Sequence, residues 1–79
     1  MFKVGDLIIG NQRNNYMLTN EKSICKVTAI ESRILIKVVI VKVLNDYAPA
    51  IRAMNDKEEF SVYASSFDLC FGKKNNTSW

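Results

Sequence analysis

The sequence predicts an all-β protein: a small, strongly bent barrel of about five strands with one short helical turn. Three observations carry that expectation. Short runs rich in Ile, Val and Phe alternate with polar residues. Clusters of Asn, Asp, Ser and isolated Gly separate those runs. One segment, "ILIKVVIVKVL" at 34–44, is apolar enough to cross the middle of a domain.

In chain order, "KVGDLIIG" reads as a tight turn at Gly5 and Asp6 followed by a strand, with Val4, Leu7 and Ile9 as candidates for burial. "NQRNNYMLTNEKS" is then a polar, asparagine-rich loop. It is long for a compact domain, and long ordered loops more often carry function than merely connect. "ICKVTAI" alternates as a strand, with Ile24, Lys26, Thr28 and Ile30 on one face and Cys25, Val27 and Ala29 on the other. "ESR" at 31–33 is short enough to close a hairpin.

The segment 34–44 poses a problem of geometry. Eleven residues at about 3.3 Å each would reach roughly 36 Å, longer than one flat strand in so small a domain. Lys37 and Lys42 are five positions apart and would point to opposite faces. A β-bulge or sharp twist near Val38 to Ile40 would turn both lysines to solvent and give the bend that a small barrel needs. A straight strand is the competing account. Its second face, Val38, Ile40 and Val41, would then be covered by a second copy, making a homodimer interface.

"NDYAPAIRAMNDKEE" fits two descriptions. One is a short helix within 46–56, capped by Asp46, with Pro49 in its first turn and Tyr47, Ala50, Ile51 and Met54 on one face. The other is an irregular loop. "FSVYA" alternates as a strand, "SSFD" has a capping-box pattern of Ser65 and Asp68 that suits a single helical or 3-10 turn, and "FDLCF" is a last short strand. Residues 1–71 form the single expected domain, and "GKKNNTSW" at 72–79 has the composition of a flexible tail, with Trp79 a large apolar group that could dock.

Composition excludes several classes. With 48% hydrophobic and 24% charged residues in 79, the chain is globular rather than disordered. The apolar run is far short of the roughly 20 residues that cross a bilayer. No basic segment followed by an apolar run opens the sequence, so the expectation is a cytoplasmic protein without membrane contact. The sequons at Asn75 and Asn76 then carry no glycan, and Cys25 and Cys70 are free thiols. There is no histidine and no paired-cysteine motif, so neither metal nor cofactor is expected. Asp56, Glu58 and Glu59 read as a solvated turn, the cysteines lack a histidine base, and the three glycines stand apart rather than in a phosphate loop. The reading is not an enzyme. The net charge of +3 is mild, its basic residues are spread along the chain, and a nucleic-acid partner is allowed rather than demanded.

The succession "FKVGDLIIGN", "NNYMLTN", "KVTAI", "ILIKVVIVKVLNDY" and "EFSVYASSFDL" resembles a group of small Src-homology-3-like barrels often encoded by phages and mobile elements of low-GC bacteria. The resemblance covers residues 2–71. Gly5 and Asp6 match the turn into the first strand. Tyr16, Thr19 and Asn20 match a "Tyr-x-x-Thr-Asn" loop, and Phe60, Val62, Phe67 and Leu69 match the closing pattern. Two features depart from it: Cys25 stands where glycine is usual, and the connection from Asn45 to Glu59 is longer. The group implies a fold and no single activity.

Binding remains as the function. The leading expectation is a non-catalytic protein-binding module, an accessory protein that docks on and modulates a host protein such as a defence or transcription complex. Its contacts would be Asn14, Asn15, Tyr16 and Met17 in the first loop and Tyr47, Ile51, Arg52 and Met54 in the longer connection; these tyrosines and methionines would equally serve to close the barrel ends. The alternative is a barrel similar to KOW-type nucleic-acid-binding domains, with Arg13, Lys22, Lys26 and Arg33 on phosphates and Tyr16 stacked on a base. A third is capture of a small anionic ligand between protomers.

Overall fold

A computed structural model describes residues 1–20 and 22–70. Phe71 and the expected tail at 72–79, with Trp79, lie outside the described residues. Five strands, β1 (Leu7–Gly10), β2 (Ser23–Ile30), β3 (Leu35–Val43), β4 (Glu59–Tyr63) and β5 (Phe67–Leu69), form one antiparallel sheet in the order β4-β3-β2-β1-β5. One helix, α1 (Ala48–Asn55), joins β3 to β4, and a 3-10 turn (Ala64–Ser66) joins β4 to β5. The all-β architecture agrees with the sequence. Closure into a barrel does not follow from the strand pairing, because β4 and β5 are the two margins of the sheet.

The turn that opens the sheet rests on one residue. Gly5 sits at φ +99°, the left-handed region that glycine enters without penalty. This lets Asp6 N–H donate to the Lys3 carbonyl at 3.0 Å while the Asp6 carboxylate accepts from Lys3 N–H at 2.8 Å. Gly5 N–H then reaches the Val27 carbonyl at 2.8 Å and ties the turn to β2.

The long strand is bent, as its two lysines require. Between Ile24↔Lys42 and Cys25↔Ile40 the register slips by one residue, leaving Val41 as a bulge in β3. Between Val27↔Val38 and Ala29↔Lys37 it slips again, leaving Thr28 as a bulge in β2. Ile36, Val38 and Ile40 are buried before the slip, while Val41 and Lys42 both lie exposed beyond it and Val43 returns to pack on the core. The phase shift falls one residue later than the sequence suggests. Lys37 is held on the outward face by a 3.9 Å ion pair with Glu31, whose carboxylate also accepts from the Ser61 hydroxyl at 3.0 Å.

Three expectations are corrected. Val38 and Ile40, candidates for an oligomer interface, are 0% and 2% exposed within a single chain; they are core, and only Val41 of that set reaches solvent. In β1 the buried residue is Ile8, with Leu7 and Ile9 half-buried and Val4 exposed. Pairing of Ile8 with Cys25 on one side and Leu69 on the other fixes which face turns inward. At α1 the N-cap is Tyr47 rather than Asp46 and no side chain caps it; Pro49 occupies the first turn, where its missing N–H has no consequence.

α1 settles the undecided segment as a helix. Its buried residues are two alanines, Ala50 and Ala53, whose small side chains let the helix lie close to the core, with Tyr47 and Met54 packed beside them. It ends in a Schellman motif: Glu58 N–H donates to the Ala53 carbonyl and Lys57 N–H to the Met54 carbonyl, both at 3.1 Å. The left-handed residue of that motif, usually glycine, is here Lys57 at φ 55°. Among the described residues no helix is long and apolar enough to cross a membrane.

The burial of Ile40 and the exposure of Val41 make opposite predictions for neighbouring residues. Ile40→Asp places an unpaired carboxylate in the core at a cost of several kcal/mol, comparable with the roughly 5–15 kcal/mol that holds a small domain together; it should abolish the cooperative thermal transition. Val41→Asp should retain the circular dichroism and melting transition of the native chain.

Candidate functional site

The described residues of the asparagine-rich loop are tied together by side-chain hydrogen bonds. Three asparagines each accept, through the side-chain oxygen, from the backbone N–H two residues on: Asn11 from Arg13 at 2.8 Å, Asn14 from Tyr16 at 2.8 Å and Asn20 from Lys22 at 2.7 Å. These are Asx turns, in which a short amide side chain replaces a backbone partner. The amide nitrogens of the same residues face the other way. Asn11 Nδ2 donates to the Ser65 carbonyl (3.0 Å) and Asp68 Oδ1 (3.2 Å), Asn14 Nδ2 to the carbonyls of Thr19 (3.0 Å) and Ser66 (3.2 Å), and Asn20 Nδ2 to that of Met17 (3.1 Å). The loop is thereby laced to itself and to the 3-10 turn. Asp68 and Ser65 serve Asn11 instead of forming a capping box.

Tyr16 joins the loop to both margins of the sheet. Its hydroxyl accepts from Tyr63 N–H of β4 at 3.0 Å, and its ring stacks on Phe67 of β5 with centroids 6.3 Å apart. Tyr16 and Asn14 are therefore structural members of the loop. Asn15 and Met17 face solvent, Met17 at 70% exposure. Beneath Met17 a groove of about 260 Å³ runs between Tyr16–Thr19 and Phe60–Val62 of β4. A second, of about 380 Å³, opens on the other side of the loop toward Asn20 and Lys22.

The second set of candidate contacts lies on α1. Tyr47, Ile51 and Met54 are half-buried and Arg52 is exposed. Met54 lines a different groove, of about 430 Å³, together with Lys26, Thr28, Val39, Val41 and Lys57. The four basic candidates are dispersed: Arg13 flanks a shallow surface with Asn11 and Asp68, Lys22 lies at the loop groove, Lys26 belongs to the groove beside α1, and Arg33 is in the turn between β2 and β3.

Sequence reasoning overlooked two hydroxyls and one backbone conformation. Thr19 Oγ1 and Thr28 Oγ1 are buried without a hydrogen-bond partner among the described residues, a condition that native proteins rarely leave unexplained. Lys57 adopts its left-handed conformation beside Thr28 in the same groove. Nothing in a sequence marks an unpaired hydroxyl. The Met54-Asn55-Asp56-Lys57 succession, a helix end without glycine, is the only trace of the third feature.

Neither thiol is activated. Both cysteines are free, and burial pushes the Cys25 thiol up to about 12. Burial also raises Cys70, so neither is a ready thiolate near neutral pH. Among the described residues no group of three or more His, Cys, Asp or Glu side chains could hold a metal ion. No family model, curated protein or solved structure matches the chain.

Two predictions follow from these contacts. Tyr16→Phe, which strips Tyr63 N–H of its acceptor, should lower unfolding free energy by about 1 kcal/mol and speed hydrogen exchange at the Tyr63 amide. For Cys25, the raised value means that the stabilisation from keeping the thiol neutral is complete below the unfolded-state value of about 8.5 and is lost as pH climbs from there toward about 12. Denaturant titrations should therefore show the native chain losing stability between about pH 8.5 and 11 more steeply than Cys25→Ala, by up to about 1.4 kcal/mol per pH unit.

Proposed function

We propose that the chain is a non-catalytic protein-binding module built on a Src-homology-3-like barrel. The strand order and the 3-10 turn before β5 support that architecture, as does Tyr16, which touches both margins of the sheet. Its particular role in this reading is that of a phage or mobile-element accessory protein, working in the cytoplasm, which docks on a host protein and modulates or inhibits it. That role rests on the resemblance in the sequence, and the structure contributes a surface suited to it.

One observation carries the reading: an exposed methionine on a loop laced by asparagine hydrogen bonds. Met17 stands at 70% exposure on a loop held by seven asparagine side-chain contacts of 2.7–3.2 Å within the loop itself and to the 3-10 turn. A polarizable, adaptable side chain on a preorganised support loses little entropy when a partner covers it. The dispersed positions of Arg13, Lys22, Lys26 and Arg33 give nucleic acid no continuous track, so nothing in the geometry favours the KOW-like alternative.

The test is retention of partners from a low-GC bacterial lysate by the tagged chain at about 0.1 M and 0.5 M salt, with and without nuclease. A protein should be held through high salt and nuclease, and Met17→Asp, at an exposed position, should weaken its binding at least about tenfold, or 1.4 kcal/mol, without changing the melting temperature. Recovery of nucleic acid that is lost at high salt, or retention indifferent to Met17→Asp, would refute this use of the loop.

A further inference from the structure

The groove beside α1 gathers the irregularities of the structure. Both bulged residues, Thr28 of β2 and Val41 of β3, line it, and bulges characteristically re-aim side chains at functional positions. Lys57, the non-glycine residue in the left-handed region among the described residues, lines it as well. So does Thr28 with its unpaired hydroxyl. The left-handed Lys57 and the unpaired Thr28 hydroxyl each lower stability where they stand, and their meeting in one groove of about 430 Å³ calls for a common cause.

The chemistry of the walls specifies an occupant. Lys26 and Lys57 bring two cations, and among the described residues neither side chain has an ion pair or hydrogen bond. Val39, Val41 and Met54 bring an apolar wall between them. Lys26, Val39 and Glu59 form one cross-strand row on β2, β3 and β4, and Glu59 is the one carboxylate that lines the groove with the two lysines. Two cations beside one anion and an apolar wall are poor for a phosphate backbone, which rewards unbroken positive charge. They suit a short segment carrying a carboxylate next to an aliphatic side chain.

We infer that this groove is the docking site for an acidic, apolar peptide segment of a protein partner, with Lys26 and Lys57 receiving its carboxylates, Val39, Val41 and Met54 its aliphatic side chain, and the Thr28 hydroxyl one of its polar groups. The inference rests on the protein-binding reading and assigns it a second surface, separate from the Met17 loop. Because the Thr28 hydroxyl is buried in the free chain, this contact requires its side chain to change rotamer when the segment docks.

The experiment is an amide-resolved NMR titration of the full chain with a capped peptide of alternating Glu and Leu, and with its Lys and Leu counterpart. The acidic peptide should shift Lys26, Thr28, Val41, Met54 and Lys57, and the basic one should not. Lys57→Gly and Thr28→Val should each raise the melting temperature, by relieving the left-handed lysine and the unpaired hydroxyl, while weakening the peptide several-fold. Lys26→Glu combined with Lys57→Glu should weaken it more than about tenfold. Equal response to both peptides, shifts confined to the Met17 loop, or binding unaffected in the two stabilised variants would overturn the inference. In the lysate experiment, a partner held equally by native chain and charge-reversed variant would leave the protein-binding reading standing and this groove refuted. A partner held by neither, with no response to the acidic peptide, would refute both.

Discussion

The fold depends on the register of β3 between β2 and β4. Hydrogen-bonded along both edges, this strand has no freedom to slide, and a slip of one residue would exchange Ile36, Val38 and Ile40 for Lys37, Val39 and Val41 on the core side. The bulge at Val41 is what reconciles that register with the sequence. Without it Lys42 would continue the inward face of Ile36, Val38 and Ile40 and desolvate an ammonium, a cost of several kcal/mol against a total stability of the same order. With it, Val43 takes the inward place. The two lysines are thus the record, in the sequence, of a bend in the backbone.

That is why the sheet was legible and some faces were not. Alternation marks a strand wherever one face is wet, as in "ICKVTAI" and "FSVYA", and both became β2 and β4 at nearly the expected limits. "LIIG" has no polar residue to break the tie between its faces, so the choice of Ile8 over Leu7 and Ile9 came from pairing with Cys25 and Leu69, which no local pattern records. The helix was ambiguous for a related reason. Its core contacts are Ala50 and Ala53, and alanine advertises helix propensity without advertising burial.

The asparagine loop shows how a polar stretch can be tightly built. Asparagine-rich stretches read as polar and open, but each asparagine offers both an acceptor and two donors to nearby backbone. Asn11, Asn14 and Asn20 spend the oxygen on the residue two positions ahead and the nitrogen elsewhere. The spacing of the Asx turns was available in the sequence as asparagine followed at i+2 by Arg13, Tyr16 and Lys22; the partners in the 3-10 turn, more than fifty positions away, were not. Asn14 and Tyr16 thereby support the loop on which Met17 is displayed.

The same distinction separates the two surfaces of the molecule. Around Met17 nearly every polar group is satisfied, and the exposed side chain stands on a frame that gains stability from its own hydrogen bonds. Thr19 is the exception there, with an unpaired hydroxyl at the groove floor. Beside α1 the balance reverses: a lysine occupies the place where glycine would relax the Schellman turn, and a threonine bulge keeps a hydroxyl without a partner. Proteins of this size hold little stability in reserve. On the docking inference, the free energy given up at Lys57 and Thr28 in the isolated chain is what a segment seated in the groove returns.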